Sequence, residues 1–247
     1  MNRLLISVLL ISLLISSSCS EKKKGNTNIS GTITNASGQL LMLQELGVQN
    51  STTLDSLTLD TTGVFSFTLQ LQEAGLYLLS LPRHSPLVLE VMPGSFVKIL
   101  GSCKSFPSDV VISGFDNSLA LSGFFISTNE NRIIYDSLEN VLMTHQEDPD
   151  FAVLSNKLDE SLRPVWEGQK KLETDYITRH PNSLTSLLVL NQGLGVNPLL
   201  IYKNDSVYFI RLDSSLNKAF PGNKHALFHH ERIIQERAIN AMKQHSE

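Results

Sequence analysis

The chain predicts an α+β protein, with an antiparallel, sandwich-like β domain over residues 28–117 and a helical region over residues 118–247. Three observations carry this. Between 28 and 117, apolar residues recur at every second position in short runs bounded by turn formers, which is the period of strands. After 117 the apolar spacing becomes three and four, the period of a helix with one buried face. Charge follows the same divide: Arg83, Lys98 and Lys104 are the basic residues of the first part, and the second part is richer in both signs. A hydrophobic content of 41% suits a globular core. The net charge is −4 and no basic block lies beyond residue 24, so nucleic acid is not an expected partner.

Residues 1–18 read as an export signal, with Arg3, an apolar run from Leu4 to Ile15, and Ser16-Ser17-Ser18. The run is too short for a spanning helix, which needs roughly 20 residues. Cys19 follows, as in bacterial lipoprotein signals, where this cysteine becomes the first mature residue and carries the acyl chains. Leu is usual three places before it; here Ser16 holds that place and Ile15 stands one place earlier. Ser16 and Ser18 also suit ordinary signal peptidase, which would leave Cys19 as a plain N-terminal thiol. The expectation is lipid attachment at Cys19, with residues 19–27 as a tether. Lys22, Lys23 and Lys24 then lie at the membrane surface, each adding about 1 kcal/mol of attraction to anionic headgroups, or act as a solvated spacer. This basic tail differs from the acidic signals that send some lipoproteins to the cell exterior, so the expected address is the bacterial envelope, facing the periplasm.

The strands follow in order. Ile29 and Ile33 alternate with polar neighbours up to the turn Asn35-Ala36-Ser37-Gly38. Leu41 and Leu43 mark a second strand, and Leu57 and Leu59 a third that closes at Asp60-Thr61-Thr62-Gly63. Val64 to Leu71 is a fourth, with Phe65 and Phe67 on one face. Leu76 to Leu81 and Leu87 to Met92 are apolar on both faces and read as central strands. Pro93-Gly94 turns the chain into Phe96 to Leu100, and Val110 to Ile112 ends the series. Short turns between about eight strands indicate an antiparallel sandwich or a strongly curled sheet.

In sequence, Asp55-Ser56 with Leu57 and Leu59, Gly63-Val64-Phe65-Ser66-Phe67, Gly75-Leu76-Tyr77-Leu78-Leu79, Pro93 to Ile99 and Ile112-Ser113-Gly114 resemble one family. It is the uncharacterised N-terminal domain of Bacteroidota lipoproteins that often continue into a thioredoxin-like thiol–disulfide oxidoreductase domain. The resemblance implies a β fold and a membrane address, and no catalytic role for any residue. Gly63 and Gly94 are expected in turns, Phe65 and Phe67 in the core, and Asp55-Ser56 capping a turn.

The helical part begins with a cap at Asn117 or Ser118 and a helix through Leu119, Ile133, Leu138 and Leu142, ending near Glu147-Asp148-Pro149. Phe151, Leu154, Leu158 and Leu162 form an amphipathic stripe, with a kink or break expected at Pro164 and Gly168. The run resumes through Leu172, Tyr176 and Ile177 to His180. His180-Pro181-Asn182-Ser183 separates it from a helix over Leu184 to Leu190, with Asn182 as a suitable N-cap. Gly193, Gly195 and Pro198 mark a loop, and helices over Asp205 to Leu216 and Lys224 to Lys243 meet at Pro221-Gly222-Asn223. The His-Pro-Asn-Ser step with Ser186 resembles the helical linker of the same lipoproteins. Their redox domain starts about where this chain stops, and there is no Cys-x-x-Cys, so the chain is expected to be the front part of such a protein without its redox part.

Chemistry-bearing residues are few. Of the two cysteines, acylation of Cys19 leaves Cys103 alone, and it is expected to be buried and inert; the sharper alternative is a reactive thiol. His225, His229, His230 and Glu231 have the spacing of metal ligands, with His225 and His229 four apart on one helix, but lack a third fixed ligand. They are read as exposed polar histidines, and no metal or cofactor is expected. His180 reads as part of a helix stop and Glu147-Asp148 as a solvated loop. No Gly-x-Ser-x-Gly elbow, evident Cys–His pairing or phosphate loop is present; Gly193 and Gly195 follow a helix, the wrong context for the last. The expected function is a non-enzymatic binding or scaffolding lipoprotein. It engages an envelope partner through the β domain or the Phe151–Leu162 stripe. The alternative is an accessory or truncated relative of a thioredoxin-like oxidoreductase, using Cys103.

Overall fold

The computed structural model describes residues 25–114 and 116–244; the leader, Cys19 and Lys22–Lys24 lie outside the described residues. Eight strands build the first part: β1 (Gly25–Thr34), β2 (Leu40–Leu46), β3 (Ser51–Thr58), β4 (Val64–Leu71), β5 (Gly75–Ser80), β6 (Leu87–Val91), β7 (Phe96–Ser102) and β8 (Val111–Ser113). They form two four-stranded sheets, ordered β4-β1-β7-β8 and β3-β2-β5-β6. Ile29, Ile33, Phe65, Phe67, Val97 and Ile99 from the first face Leu41, Leu43, Leu79 and Leu89 from the second in one buried core. This is the expected sandwich, and Gly63 and Gly94 take the positive φ that their turns require.

One pairing departs from the antiparallel expectation. β1 runs parallel to β7, with Ile29 opposite Val97 and Gly31 opposite Ile99. Between β1 and β7 the chain builds the whole of the other sheet, with β4 laid antiparallel on one side of β1 on the way, and then returns on the other side of β1 in the same direction. Parallel and antiparallel neighbours share the two-residue period, so alternation cannot tell them apart. Gly31 permits the close approach: a Cβ there would stand 1.8 Å from the Ile99 carbonyl oxygen.

β5 is central as expected, but β6 is an edge strand. It is apolar on both faces because Leu87, Leu89 and Val91 enter the sandwich core while Val88 packs against the helices. Asp55-Ser56 does not cap a turn. Both residues lie inside β3, where Asp55 Oδ1 accepts the Ser56 N–H at 2.8 Å, beside a register shift at Leu43/Gln44.

Five helices make a third layer on the outer face of β3-β2-β5-β6: α1 (Asp116–Thr144), α2 (Phe151–Arg179), α3 (Thr185–Leu190), α4 (Tyr202–Ala219) and α5 (Lys224–Gln244). Leu76 of β5 joins Leu121, Phe124, Tyr176, Leu212 and Ile233 in a second core. On α1 the inward residues are Leu121, Phe124, Thr128 and Tyr135; Ile133 faces outward, and the side chains of residues 117–119 are outside the description. α2 runs unbroken through Pro164 and Gly168, against expectation. Pro164 is exposed, so water can satisfy the carbonyl it orphans. The residues on either side, Leu158 and Leu162 before it and Val165 and Gln169 after it, keep one packed face. The Phe151–Leu162 stripe is therefore partly buried within the molecule.

The expected loop at Gly193–Pro198 contains a two-residue hairpin, β9 (Gly193–Leu194) with β10 (Asn197–Pro198). Asn182 is not the cap of α3: Leu184 holds that position without a side-chain bond. Among the described residues no helix is long and apolar enough to cross a membrane.

Candidate functional site

The N-terminus of α5 is fastened to the sandwich. Asn223 caps it by accepting the His225 N–H on Oδ1 at 3.0 Å and donates through Nδ2 to the Ala74 carbonyl at 2.7 Å. Lys224 forms an ion pair with Glu45 of β2. This attachment turns the histidine face of α5 inward. His225 is 7% exposed and His229 2%, so the expectation of exposed polar histidines is wrong for both. Spacing showed that they share a face, but which face is buried depends on Ala74 and Glu45, well over a hundred residues away.

Burial holds both imidazoles below their ordinary pKa. For His225, Lys224 adds to this while Glu45 and the Leu46 backbone oppose it. For His229, the Phe209 carbonyl and Asp213 oppose burial, and Arg232 and His230 reinforce it. His229 Nε2 donates to the Phe209 carbonyl at 3.1 Å, which leaves Nδ1 as a bare lone pair. That Nδ1 and the Nε2 of His225 are both buried without a hydrogen-bond partner. His230 points away to Asp213, with Nδ1 3.0 Å from each carboxylate oxygen. Among the described residues no three His, Cys, Asp or Glu side chains form a group fit to hold a metal.

Two cavities flank this face. One, of about 280 Å³, lies between the β2–β3 turn, β5, α3 and α5, with apolar walls from Leu46, Leu76, Leu187 and Phe228 and polar groups from Asn191, His225, His229 and Arg232. The other, of about 330 Å³, lies towards α4 and shares Asn191, His229 and Arg232. Arg232 Nη1 donates to Asn191 Oδ1 at 2.9 Å between them.

Cys103 is half-buried rather than buried, and it is packed on the edge of the sandwich core. Its Sγ lies 3.6 Å from His84 Nε2. His84 Nδ1 is 3.1 Å from the Phe106 carbonyl, an acceptor, so Nδ1 carries the proton and Nε2 can accept from the thiol. The Phe106 ring stands edge-on to the imidazole with centroids 6.1 Å apart. Sequence spacing gave no sign of this pair because the β5–β6 turn and the segment after β7 bring it together.

The outer face of β4-β1-β7-β8 is a third feature. One cross-strand row is Val64–Thr32–Leu100–Val111; the next is Ser66–Ser30–Lys98–Ser113; the next is Thr68–Asn28–Phe96. Phe96 is 71% exposed, Val64 60%, Val111 58% and Leu100 44%, and Lys98 is the one charged residue in these rows. Elsewhere, His180 ends α2 with its ring tilted against Tyr176, centroids 4.7 Å apart, and Glu147-Asp148 lie in the exposed turn after α1.

No family model matches the chain, and no curated protein does. Among solved structures, the crystal structure of (S)-allantoin synthase matches at 12% identity and a TM-score of 0.29, covering 39% of this chain and 46% of that one. This chain thus corresponds to less than half of that protein, and a likeness so slight carries no functional argument.

Proposed function

We propose that the chain is an envelope lipoprotein, held by acyl chains on Cys19 at a membrane facing the periplasm, and that it works as a non-enzymatic binding or scaffolding module. The observation that supports this best is the outer face of β4-β1-β7-β8. Four large apolar side chains stand exposed there on a nearly uncharged sheet, while on the opposite sheet Leu46, Leu76 and Val88 of β2, β5 and β6 are packed against the helices. Leu100 and Val111 are direct cross-strand neighbours, and Val64 and Phe96 extend the face beyond Thr32 and Lys98, so a partner would meet apolar contacts set among small polar ones. The partner is a protein with an apolar, weakly charged docking face. A separately encoded thioredoxin-like oxidoreductase is the partner that the family resemblance suggests.

The test is a cross-linked pull-down from envelopes with the wild type, Cys19→Ser and Phe96→Asp/Val111→Asp. One specific protein should accompany the wild type, fall with Cys19→Ser and vanish with the face variant. Its retention by the face variant, or the absence of any specific protein, rejects the reading.

The Cys103–His84 contact favours a second reading, a redox accessory with a reactive thiol. Under it, a thiol reagent labels Cys103 quickly near neutral pH in the folded protein, and His84→Gln slows labelling. A thiol silent until the protein unfolds rejects it.

A further inference from the structure

We propose that the smaller junction cavity binds a small organic acid with an apolar body, its carboxylate held by Arg232 and the His225 and His229 imidazoles. This is independent of docking through the outer sheet face, which lies on the far side of the sandwich.

The cavity has the anatomy of a ligand site, with mainly apolar walls and a few converging polar groups. The polar groups define the chemistry. No Asp or Glu lines this cavity, whereas an arginine and two imidazoles do. Both imidazoles are at least nine-tenths buried and each keeps one ring nitrogen without a partner. Orphaned buried polar atoms are rare in folded proteins because each forfeits a hydrogen bond. Such a nitrogen is satisfied by a bound carboxylate once the ring carries a proton there to donate. Of the five N–H donors of Arg232, Asn191 engages one, and a guanidinium fork suits a carboxylate.

A metal is the poorer occupant: the two histidines gain no third ligand, and the Arg232 charge opposes a cation. The charged groups around the imidazoles are already engaged. Glu45 pairs with Lys224 beside His225, and Asp213 is held by His230 and Asn217 beside His229. The incoming carboxylate is therefore the uncompensated negative charge in the cavity. It draws a proton onto an imidazole that is neutral before binding, so binding is coupled to proton uptake.

The test is calorimetry on the full, detergent-solubilised chain near pH 7, with phenylacetate as probe and 2-phenylethanol as its uncharged counterpart, each in two buffers of different protonation enthalpy. Phenylacetate should bind saturably, at least about tenfold tighter than the alcohol, with a heat that depends on buffer because a proton is taken up. Arg232→Gln alters an exposed side chain and should weaken the acid by about tenfold while leaving the alcohol unchanged. His225→Leu/His229→Leu should abolish proton uptake. If that double variant fails to fold, Arg232→Gln and the buffer dependence decide. No saturable heat at millimolar phenylacetate, equal affinity for acid and alcohol, or full binding by Arg232→Gln overturns the proposal.

Discussion

Glu173 is wholly buried in α2, and neither carboxylate oxygen meets a well-formed donor. Burial pushes its pKa up to about 8, with Gln169 and Lys170 offsetting only part of the effect. The folded state therefore holds the protonated acid while the unfolded chain ionises from about 4.5. Stability conferred by the protonated form is complete below pH 4.5 and declines as pH rises towards 8. Glu173→Gln should flatten that decline in denaturant titrations, a gain on the order of 3 kcal/mol at pH 8. An unchanged slope would show that Glu173 ionises freely. His225 and His229 act with the opposite sign. Their folded pKa values lie below the ordinary imidazole value of 6.5, so stability is intact above it and falls as acid protonates the unfolded chain first. His225→Leu/His229→Leu should reduce the loss of stability expected between neutral pH and pH 5, as read by thermal melts. At this scale the sequence was only partly legible. The i, i+4 pair was visible in the letters, but its burial was not. The meeting of Cys103 with His84 depends on two turns whose mutual position no local pattern encodes.

Strand and helix periods were the clearest signals: each expected strand from Ile29 to Ile112 exists, and the joint at Pro221-Gly222-Asn223 separates α4 from α5 as read. What failed were inferences that treated an element as isolated. Pro164 suggests a kink or break because a lone helix loses a hydrogen bond there, but packing on both sides carries α2 through. Pro164→Ala should restore the missing N–H and raise the melting temperature, a gain of about 2 kcal/mol. An unchanged or lower melting temperature would mean that the proline is neutral or needed where it stands. Similarly, Asn182 looked like the cap of α3, yet the donor there is satisfied from another element. The Thr185 N–H gives to Glu90 Oε2 of β6 at 3.3 Å. The two faces of β6 misled for the same reason, since apolarity on both sides reports cover by helices and not a central place in the sheet.

At the scale of the whole molecule, the change from strands to helices, which falls between Ser113 and Asp116, was legible, but the way the two parts are joined was not. Leu76 belongs to the same core as the helices, and a buried polar chain crosses the boundary. Ser183 donates to Glu90, Ser183 and Thr185 hydroxyls meet at 2.6 Å, and Tyr176 OH lies 2.8 Å from Thr185 Oγ1. Glu90→Ala leaves these hydroxyls and the Thr185 N–H without their acceptor. It should cost about 3 kcal/mol and separate the melting of helices from that of the sandwich, followed by far-ultraviolet circular dichroism for the helices and by the strand band of the amide infrared spectrum for the sandwich. A single unshifted transition would show that the apolar core alone unites the parts. The placement of β1 has a mechanical consequence. It is flanked by β4 and β7 and starts at Gly25, close to the proposed anchor. A tug along the strand from a membrane would have to shear both hydrogen-bonded ladders together, whereas an edge strand could be peeled away one bond at a time. A chain tethered through this strand would hold its shape under force that would unzip one tethered through β3 or β8.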